Sequence, residues 1–445
     1  MNEALPKIVT AIPGPKSQAL NELRKKVIAQ GVSTSSSVFP AKASGALITD
    51  VDGNVFLDFT AGIGVVNSGH CDPAMVAAIK EQVDKYIHTC SHVFMNEPYI
   101  KLAEKLIEIA PGPSEKRAIL VNTGAEAVEN SIKIARKYTQ KQGILSLEYA
   151  FHGRSYMAMS ITSKYKPYKN GFGPFMTDTF KVPAAYCYRC PYGIAAYPEC
   201  GLACAERIRT LLKAEISADT IAALIVEPVQ GEGGFIVPPK AYMQALQSIC
   251  NENNIVFIVD EIQSGFARTG YTFASDYFEI EPDLMTVAKG IANGMPLSAV
   301  IGKKDIMDAP LVGGLGGTYG GNPVSTNAAL ALISRMENEM PANAQRLNAT
   351  LVKRLNEMKN KYDIIGDVRG LGAMIATEFV LDRKTKEPNA DIVKKVISYA
   401  EQKGVVFMSA GLFGNVIRFL PPLVMTDEQL NYGMDILDEA IGTSK

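Results

Sequence analysis

Short, nearly unbroken apolar segments alternate with amphipathic segments through the middle of the sequence. The apolar segments are RAILVN, GILSLEY, IAALIVEP, IVFIVDE and LMTVAKG. The segments between them, such as AERIRTLLKAEI and KAYMQALQSICNEN, carry apolar residues at helical spacing. Parallel strands that are covered by helices on both faces have this pattern. We therefore predict an α/β fold with a mostly parallel central sheet over about residues 60–325.

The pattern changes on either side of this region. A chain of 445 residues exceeds the roughly 250–300 residues at which a single core stops growing. From about residue 335, interrupted segments such as GAMIATEFV and VIRFLPPL predict a smaller α+β domain. We expect an N-terminal lobe over residues 1–60 that packs with this small domain, a large α/β domain over 61–325, and the small domain over 335–445.

Residues 73–90 are predicted to form an amphipathic helix. Apolar residues share one face at helical spacing, and Asp72 with Pro73 supplies a start signal, so a helix is expected over this whole segment. The stripe consists of Met75, Val76, Ile79, Val83 and Ile87.

Charge and hydropathy exclude several kinds of partner. Lys and Arg together number 45 and Asp and Glu 46, so no overall field attracts nucleic acid or anionic lipid. No segment approaches the roughly 18 apolar residues that span a bilayer, and the N-terminal residues MNEALPKIVT lack an apolar signal region. We expect a cytoplasmic protein that binds neither nucleic acid nor membrane.

Seven cysteines without a secretory signal favour reduced thiols over disulfides. Cys187, Cys190, Cys200 and Cys204 form the pattern C-x2-C-x9-C-x3-C. This spacing permits a zinc or iron–sulfur site, and it is equally compatible with free thiols in a surface loop. No metal is assigned, and these cysteines are left out of the predicted site.

Polar residues follow the predicted strands, where ligands bind in open α/β sheets. Asp260 and Lys289 each follow an apolar strand. Such a pair often forms only a salt bridge. Enzymes that use pyridoxal 5'-phosphate (PLP) need both groups, a lysine that binds the aldehyde and an aspartate that keeps the pyridine nitrogen protonated.

The segment Thr123-Gly124-Ala125 lies between a predicted strand and a predicted helix. It can be an ordinary turn, or a phosphate site formed by backbone N–H groups at a helix N-terminus. The sequence contains no G-x-G-x-x-G or P-loop motif, which disfavours nucleotide binding. Alone, the segment would be an ordinary turn; together with Asp260 and Lys289 it supplies the phosphate site that PLP needs.

Six stretches together resemble one family. NTGAEAVENSIKIAR, FHGR, EPVQGEGGF, VDEIQSGFARTG, TVAKG and GGTYGGNPV are similar, in order, to motifs of the class III (ω-amino acid) aminotransferases of PLP fold type I. They extend over most of the chain. Within that class the resemblance is greatest to the 4-aminobutyrate (GABA) aminotransferases.

The resemblance implies a role for each matching residue around the PLP ring. Lys289 would be the Schiff-base lysine and the acid–base group, and Asp260 would pair with the pyridinium nitrogen. Gln263 would donate a hydrogen bond to the phenolic oxygen, with Ile262 on one ring face and Phe151 on the other. Phe151 can also be read as a core aromatic residue.

The same resemblance implies which residues bind the PLP phosphate and that the protein is a homodimer. Gly124 and Ala125 would bind phosphate through their amides, and Thr318 would reach the phosphate from the second subunit of a homodimer. His152, next to Phe151, matches no role, so we expect a buried histidine there or one that supports the site.

The substrate residues also come from the resemblance. Arg154 would bind the distal carboxylate and Arg418 the α-carboxylate of glutamate. Glu232 would pair with Arg418 when the substrate has one carboxylate, and Glu227 would steady this network or the distal arginine. Ile63 stands where ornithine-specific relatives carry a tyrosine, although a core isoleucine is an alternative.

These roles imply a homodimeric enzyme that transfers the amino group of GABA to 2-oxoglutarate. Another ω-aminotransferase, acting on 5-aminovalerate, ornithine, acetylornithine or lysine, is the alternative. A PLP-fold regulatory protein and an aminomutase of the same family are rivals from other functional classes.

Overall fold

The computed structural model describes residues 5–194, 197–336 and 339–444. Its strands are β1 Pro40–Ser44, β2 Leu47–Asp50, β3 Val55–Asp58, β4 Lys116–Val121, β5 Gly143–Leu147, β6 Thr179–Val182, β7 Ile221–Val226, β8 Val256–Asp260, β9 Leu284–Val287, β10 Ser298–Lys303, β11 Ile365–Leu371, β12 Met374–Phe379, β13 Val405–Val406, β14 Met408–Ala410 and β15 Val416–Phe419. Its helices are α1 Pro15–Val27, α2 Ala61–Gly64, α3 Pro73–Val83, α4 Glu97–Ile109, α5 Gly124–Thr139, α6 Tyr156–Ile161, α7 Ala203–Ala214, α8 Lys240–Glu252, α9 Ala274–Phe278, α10 Lys304–Met307, α11 Pro323–Met336, α12 Met340–Lys361, α13 Ala390–Gln402 and α14 Asp427–Ser444.

The central sheet has the order β4-β10-β9-β8-β7-β5-β6. Neighbouring strands from β6 to β9 pair in parallel, whereas β10 is antiparallel to both β4 and β9. Every residue of β7 and β8 is buried. The predicted α/β fold with a mostly parallel sheet is confirmed.

The two faces of β7 belong to different parts of the core. Leu224 and Val226 join the apolar cluster that contains residues of α7 and α8. Ala223 and Ile225, which alternate with them, join the cluster that contains residues of α5. Because successive side chains of a strand point to opposite faces, this strand needs apolar residues throughout, as the sequence shows.

Two smaller sheets flank the centre. One has the order β1-β2-β3-β13, in which β13 pairs in parallel with β3. The other has the order β11-β12-β15-β14 and is antiparallel throughout. We retain the domain limits at residues 1–60, 61–325 and 335–445 as a proposal.

Helix α3 ends earlier than the sequence predicts. It ends at Val83, so the expectation of a helix over all of residues 73–90 is wrong, and Ile87, beyond the helix, is 58% exposed. The buried side chain of Gln82 donates a hydrogen bond to the Tyr86 carbonyl over 2.9 Å. The Lys85 and Tyr86 amides both donate to the Gln82 carbonyl, over 3.0 and 3.1 Å. The apolar pattern does not mark this end of the helix.

No helix in the described ranges combines the length and the apolar character that a membrane span requires.

Candidate active site

A cavity of about 360 Å³ lies where the central strands end. Its walls include segments that follow β4, β5, β7, β8 and β9. Nine of the predicted site residues line it: Gly124, Ala125, Phe151, Glu227, Glu232, Asp260, Ile262, Gln263 and Lys289. The fold thus brings together residues that are far apart in the sequence.

Lys289 lies just beyond the end of β9. Its φ is +48°, in the left-handed region that costs strain for a residue other than glycine. A short 3-10 turn, Lys289–Ala292, begins there. Burial lowers the pKa of the Lys289 ammonium below its ordinary value, which favours the neutral amine. The residue is therefore suited to act as a nucleophile.

Asp260 is the last residue of β8, and three groups contact its carboxylate. His152 Nδ1 lies 2.7 Å from Oδ2. The Thr286 hydroxyl and the Ile262 amide donate to Oδ1 over 3.1 and 3.2 Å. These contacts fix the carboxylate at the cavity wall. His152, for which the sequence offers no role, supports Asp260, and its position beyond β5 is the signal that points to the cavity.

The N-terminus of α5 forms the candidate phosphate site. Thr123 caps the helix, because its hydroxyl accepts a hydrogen bond from the Glu126 amide and the Glu126 carboxylate accepts one from the Thr123 amide. A Cβ atom at Gly124 would lie 2.8 Å from Ile262 Cδ1. An added Cβ atom would therefore displace the Ile262 side chain, and the first-turn N–H groups suit an anion.

Gln263 and Phe151 stand on the cavity wall between the phosphate site and Lys289. Gln263 Oε1 is buried and has no hydrogen-bond partner among the described residues. A Cβ atom at Gly231 would lie 2.1 Å from it, so the backbone leaves room for this amide. The Gln263 amide, whose NH2 group can donate a hydrogen bond, the anion site and the lysine together fit the phenolic oxygen, phosphate and aldehyde of PLP.

Arg418 and Glu232 form an ion pair beside the cavity. Arg418 is 3% exposed, its Nε has no partner among the described residues, and its second terminal nitrogen lies 3.3 Å from Met408 Sδ. Burial alone would raise the pKa of Glu232, but the charge of Arg418 and its hydrogen bond hold that pKa below the ordinary value. Glu232 is therefore ionised and neutralises a buried guanidinium.

The loop that carries Glu232 is held from the small antiparallel sheet. Arg369 on β11 donates to the Gly234 carbonyl over 2.9 and 2.7 Å. Arg369 also pairs with Glu378 over 2.7 Å and with Asp367 over 2.8 Å. No sequence motif identifies this contact.

Glu227 holds backbone rather than an arginine. Its two oxygens accept hydrogen bonds from the Phe151 and Gly231 amides, over 2.8 and 2.9 Å. Burial, together with the charge of Asp260, raises the pKa of Glu227 to about 8. Glu227 therefore ties the Phe151 segment to the loop of Glu232.

Four predicted residues are not among those that line the cavity: Arg418, described above, and Arg154, Ile63 and Thr318. Arg154 is exposed, and its guanidinium carbon lies 4.9 Å from the centre of the Tyr168 ring. Ile63 is 37% exposed and has a φ of +69°. Thr318 is exposed on a segment outside the cavity of its own chain. Tyr168, which no sequence motif marks, links Arg154 to the cavity residues.

All seven cysteines lie in the described residues and are free thiols. Burial raises the pKa of Cys187, and that of Cys204 to about 11. In the described ranges, no three His, Cys, Asp or Glu side chains converge as metal ligands would. The four-cysteine loop is thus described here as thiols.

Comparisons with known proteins agree with this geometry. The family model of the class III aminotransferases matches residues 28–441. A 4-aminobutyrate aminotransferase of Mycobacterium leprae is 45% identical over 98% of this chain and 98% of its own length. A 5-aminovalerate aminotransferase of Pseudomonas aeruginosa is 41% identical over 95% of this chain and 98% of its own length.

A solved structure shares the fold. The amine transaminase of an uncultivated Pseudomonas species, in a PLP-bound form, has a TM-score of 0.86 and 30% identity. The match covers 94% of this chain and 99% of that one. The sheet order, the cavity and the nearly full-length match lead to one conclusion: the chain belongs to the class III aminotransferases, with the PLP fold type I architecture.

Proposed function

We propose that this aminotransferase transfers the amino group of GABA to 2-oxoglutarate, giving succinate semialdehyde and glutamate, with PLP as its cofactor. The observation that carries the proposal is the ion pair of Glu232 with the buried Arg418 beside Lys289. A removable carboxylate on a buried arginine lets one site accept a substrate with one carboxylate or with two. The 4-aminobutyrate aminotransferase from M. leprae, 45% identical, supports the same substrate.

PLP, when bound, supplies an aldehyde for the amino group and a ring that accepts the electrons of the broken C–H bond. Around it, Gly124 and Ala125 would hold the phosphate, and Ile262 and Phe151 would lie on the two ring faces. Gln263 would donate to the phenolic oxygen. A ring held in this way keeps the reacting bond perpendicular to its plane.

Lys289 and Asp260 are the side chains that would transfer or hold protons. Lys289 would hold the aldehyde, and its neutral amine, when free, would accept the proton from the substrate carbon that bears the amino group. Its lowered pKa suits this task, because a neutral amine can accept a proton. Asp260, held by His152 and Thr286, keeps a proton on the pyridine nitrogen.

Two arginines would bind the carboxylates of the substrates. Arg154 binds the distal carboxylate of GABA or glutamate at the cavity entrance, and Arg418 binds the α-carboxylate of glutamate once Glu232 moves aside. Ile63 lies along the aliphatic chain of the substrate. Glu227 contributes by holding the backbone on both sides of this network.

The enzyme acts as a homodimer in which Thr318 binds the phosphate of the partner subunit. Large apolar side chains are exposed near this residue, including Phe94 at 71%, Leu311 at 78% and Tyr319 at 65%. Such a patch is typical of a surface that another protein covers. The His92 ring accepts a hydrogen bond from the Gly317 amide over 3.2 Å, which joins the two exposed segments.

Mixed dimers test this arrangement. A dimer of one Lys289→Ala subunit and one Thr318→Ala subunit contains one site with both residues intact only if Thr318 acts across the interface. This mixed dimer should bind PLP tightly at one site. If Thr318 acts within its own chain, every subunit of the hybrid carries one defect and no site binds PLP as the unaltered enzyme does.

We place the enzyme in the cytoplasm, without nucleic acid or membrane as a partner. Seven free thiols are compatible with a reducing compartment. The nearly equal numbers of basic and acidic residues, 45 and 46, provide no general attraction to polyanions.

A 5-aminovalerate donor is the second candidate, because the P. aeruginosa enzyme is 41% identical. Steady-state kinetics with GABA, 5-aminovalerate, ornithine, acetylornithine and lysine separate these functions. We expect kcat/KM to be highest for GABA. A higher value for any other donor overturns the GABA assignment.

A further inference from the structure

Tyr168 contacts both halves of the proposed carboxylate site. Its hydroxyl lies 3.3 Å from Glu232 Oε2. The face of its ring lies under Arg154, with 4.9 Å between the guanidinium carbon and the ring centre. Its ring also packs against Phe151, with 5.1 Å between ring centres. Phe151 and Arg154 belong to one segment and Glu232 to another, so Tyr168 joins two segments of the chain.

The two oxygens of Glu232 have different partners. Oε1 pairs with Arg418, and Oε2 accepts the hydroxyl of Tyr168. Burial and the negative charge of Glu232 raise the pKa of the Tyr168 phenol, so the hydroxyl keeps its proton and donates it. Displacing Glu232 from Arg418 therefore also disturbs the hydrogen bond to Tyr168.

We propose that Tyr168 is a specificity-determining residue whose hydroxyl holds Glu232 on Arg418 and so favours substrates with one carboxylate. This inference rests on the proposed exchange between an ω-amino acid and a dicarboxylate. A dicarboxylate must displace Glu232 to reach Arg418, whereas GABA leaves the pair intact. The stronger the hold on Glu232, the weaker is dicarboxylate binding.

The ring of Tyr168 has a second effect that can be separated from the first. A guanidinium over an aromatic face is attracted to it and is limited in its motion. Arg154 is otherwise exposed, so the ring fixes the arginine that both kinds of substrate would use. Loss of the hydroxyl changes the choice between substrates, whereas loss of the ring weakens both.

Tyr168→Phe in the PLP-bound enzyme removes only the hydroxyl. Because the hydroxyl donates to a charged group over a long distance of 3.3 Å, we expect about a three- to tenfold gain in affinity for glutarate. Glutarate is an unreactive dicarboxylate, and calorimetry measures its binding without turnover. Butanoate, with one carboxylate, should bind as it does to the unaltered enzyme.

Three further variants complete the test. Tyr165→Phe alters an exposed tyrosine in the same loop and should change neither ligand. Tyr168→Leu removes the ring as well as the hydroxyl and should bind both glutarate and butanoate more weakly than Tyr168→Phe does. In a Glu232→Gln background, Tyr168→Phe should change glutarate affinity by less than about twofold, because the hydroxyl acts through the Glu232 carboxylate.

The outcomes distinguish a wrong role for Tyr168 from a wrong proposed function. If the unaltered enzyme converts GABA and glutamate but Tyr168→Phe leaves the ratio of glutarate to butanoate affinity unchanged, the role of Tyr168 is wrong and the proposed function stands. An equal gain in the Glu232→Gln background also overturns it. If the unaltered enzyme does not convert GABA, the proposed function itself is wrong.

Discussion

Replacing Glu232 with glutamine removes a charge while keeping the shape of the side chain. Arg418 is 3% exposed, and the described residues around it offer only Met408 Sδ besides Glu232 as a side-chain partner. The carboxylate is thus the group that neutralises this guanidinium when no dicarboxylate is bound. The substitution should therefore favour any ligand that brings its own carboxylate to Arg418.

The size of the effect follows from the contact. Hydrogen bonds to charged groups contribute about 1.5–3 kcal/mol. The Glu232 side chain is 21% exposed, which places this pair in the lower part of that range, at about 1.5–2 kcal/mol. Because 1.4 kcal/mol corresponds to about a tenfold change, glutarate should bind about 10- to 30-fold more tightly to Glu232→Gln.

Glu232→Gln should favour the half-reaction of glutamate over that of GABA. Stopped-flow absorbance gives kcat/KM for each half-reaction, and the ratio of GABA to glutamate should fall at least about tenfold in Glu232→Gln. Glu279→Gln is the matched control, because Glu279 pairs with Lys240 over 2.9 Å on the surface and its side chain is 67% exposed. Loss of this exposed ion pair should leave the ratio of kcat/KM for GABA and glutamate almost unchanged. An unchanged ratio in Glu232→Gln, or a faster reaction with GABA, would refute the exchange of partners at Arg418.

The remaining predictions concern the cofactor site and its pH dependence. Gly124→Ala places a Cβ atom 2.8 Å from Ile262 Cδ1, so a fluorescence titration of the apoenzyme should show PLP affinity reduced by about tenfold or more. Gly31→Ala, where nothing lies within 4 Å of the added Cβ, should leave it unchanged, and equal losses in both variants would contradict the packing argument. Burial raises the pKa of Glu227 from 4.5 to about 8, so the folded state binds a proton that the unfolded chain releases, and the free energy of unfolding should fall as pH rises between these values. Urea unfolding at about pH 5 and about pH 8 should show this fall in the unaltered protein and a smaller one in Glu227→Gln; the same fall in both proteins would show that another group is responsible.

The central fold can be predicted from sequence because burial there imposes a local pattern. The segment IAALIVEP corresponds to β7 Ile221–Val226 and IVFIVDE to β8 Val256–Asp260, and every residue of both strands is buried. A strand that is buried on both faces must be apolar throughout, and this requirement appears directly in the residues. The polar residues that follow such strands stand out for the same reason, which identifies Asp260 and Lys289.

Contacts between distant loops are not visible in this way. Tyr168 lies in a polar loop, YKPYKNG, and its hydroxyl reaches Glu232, 64 residues further along the chain. Arg369 contacts the Gly234 carbonyl across 135 residues. His152 shows its role only when Asp260 is seen 2.7 Å away. In each case the partner is set by the packing of separate elements, and neither composition nor periodicity specifies it.

The most direct test of the central claim is a half-reaction without 2-oxoglutarate. Mixing the PLP-bound enzyme with GABA should replace the absorbance of the aldehyde cofactor by that of its amine form and release one succinate semialdehyde per site. Lys289→Ala, loaded with PLP, should not produce succinate semialdehyde. No spectral change with GABA in the unaltered enzyme, or undiminished product formation by Lys289→Ala, would contradict the account.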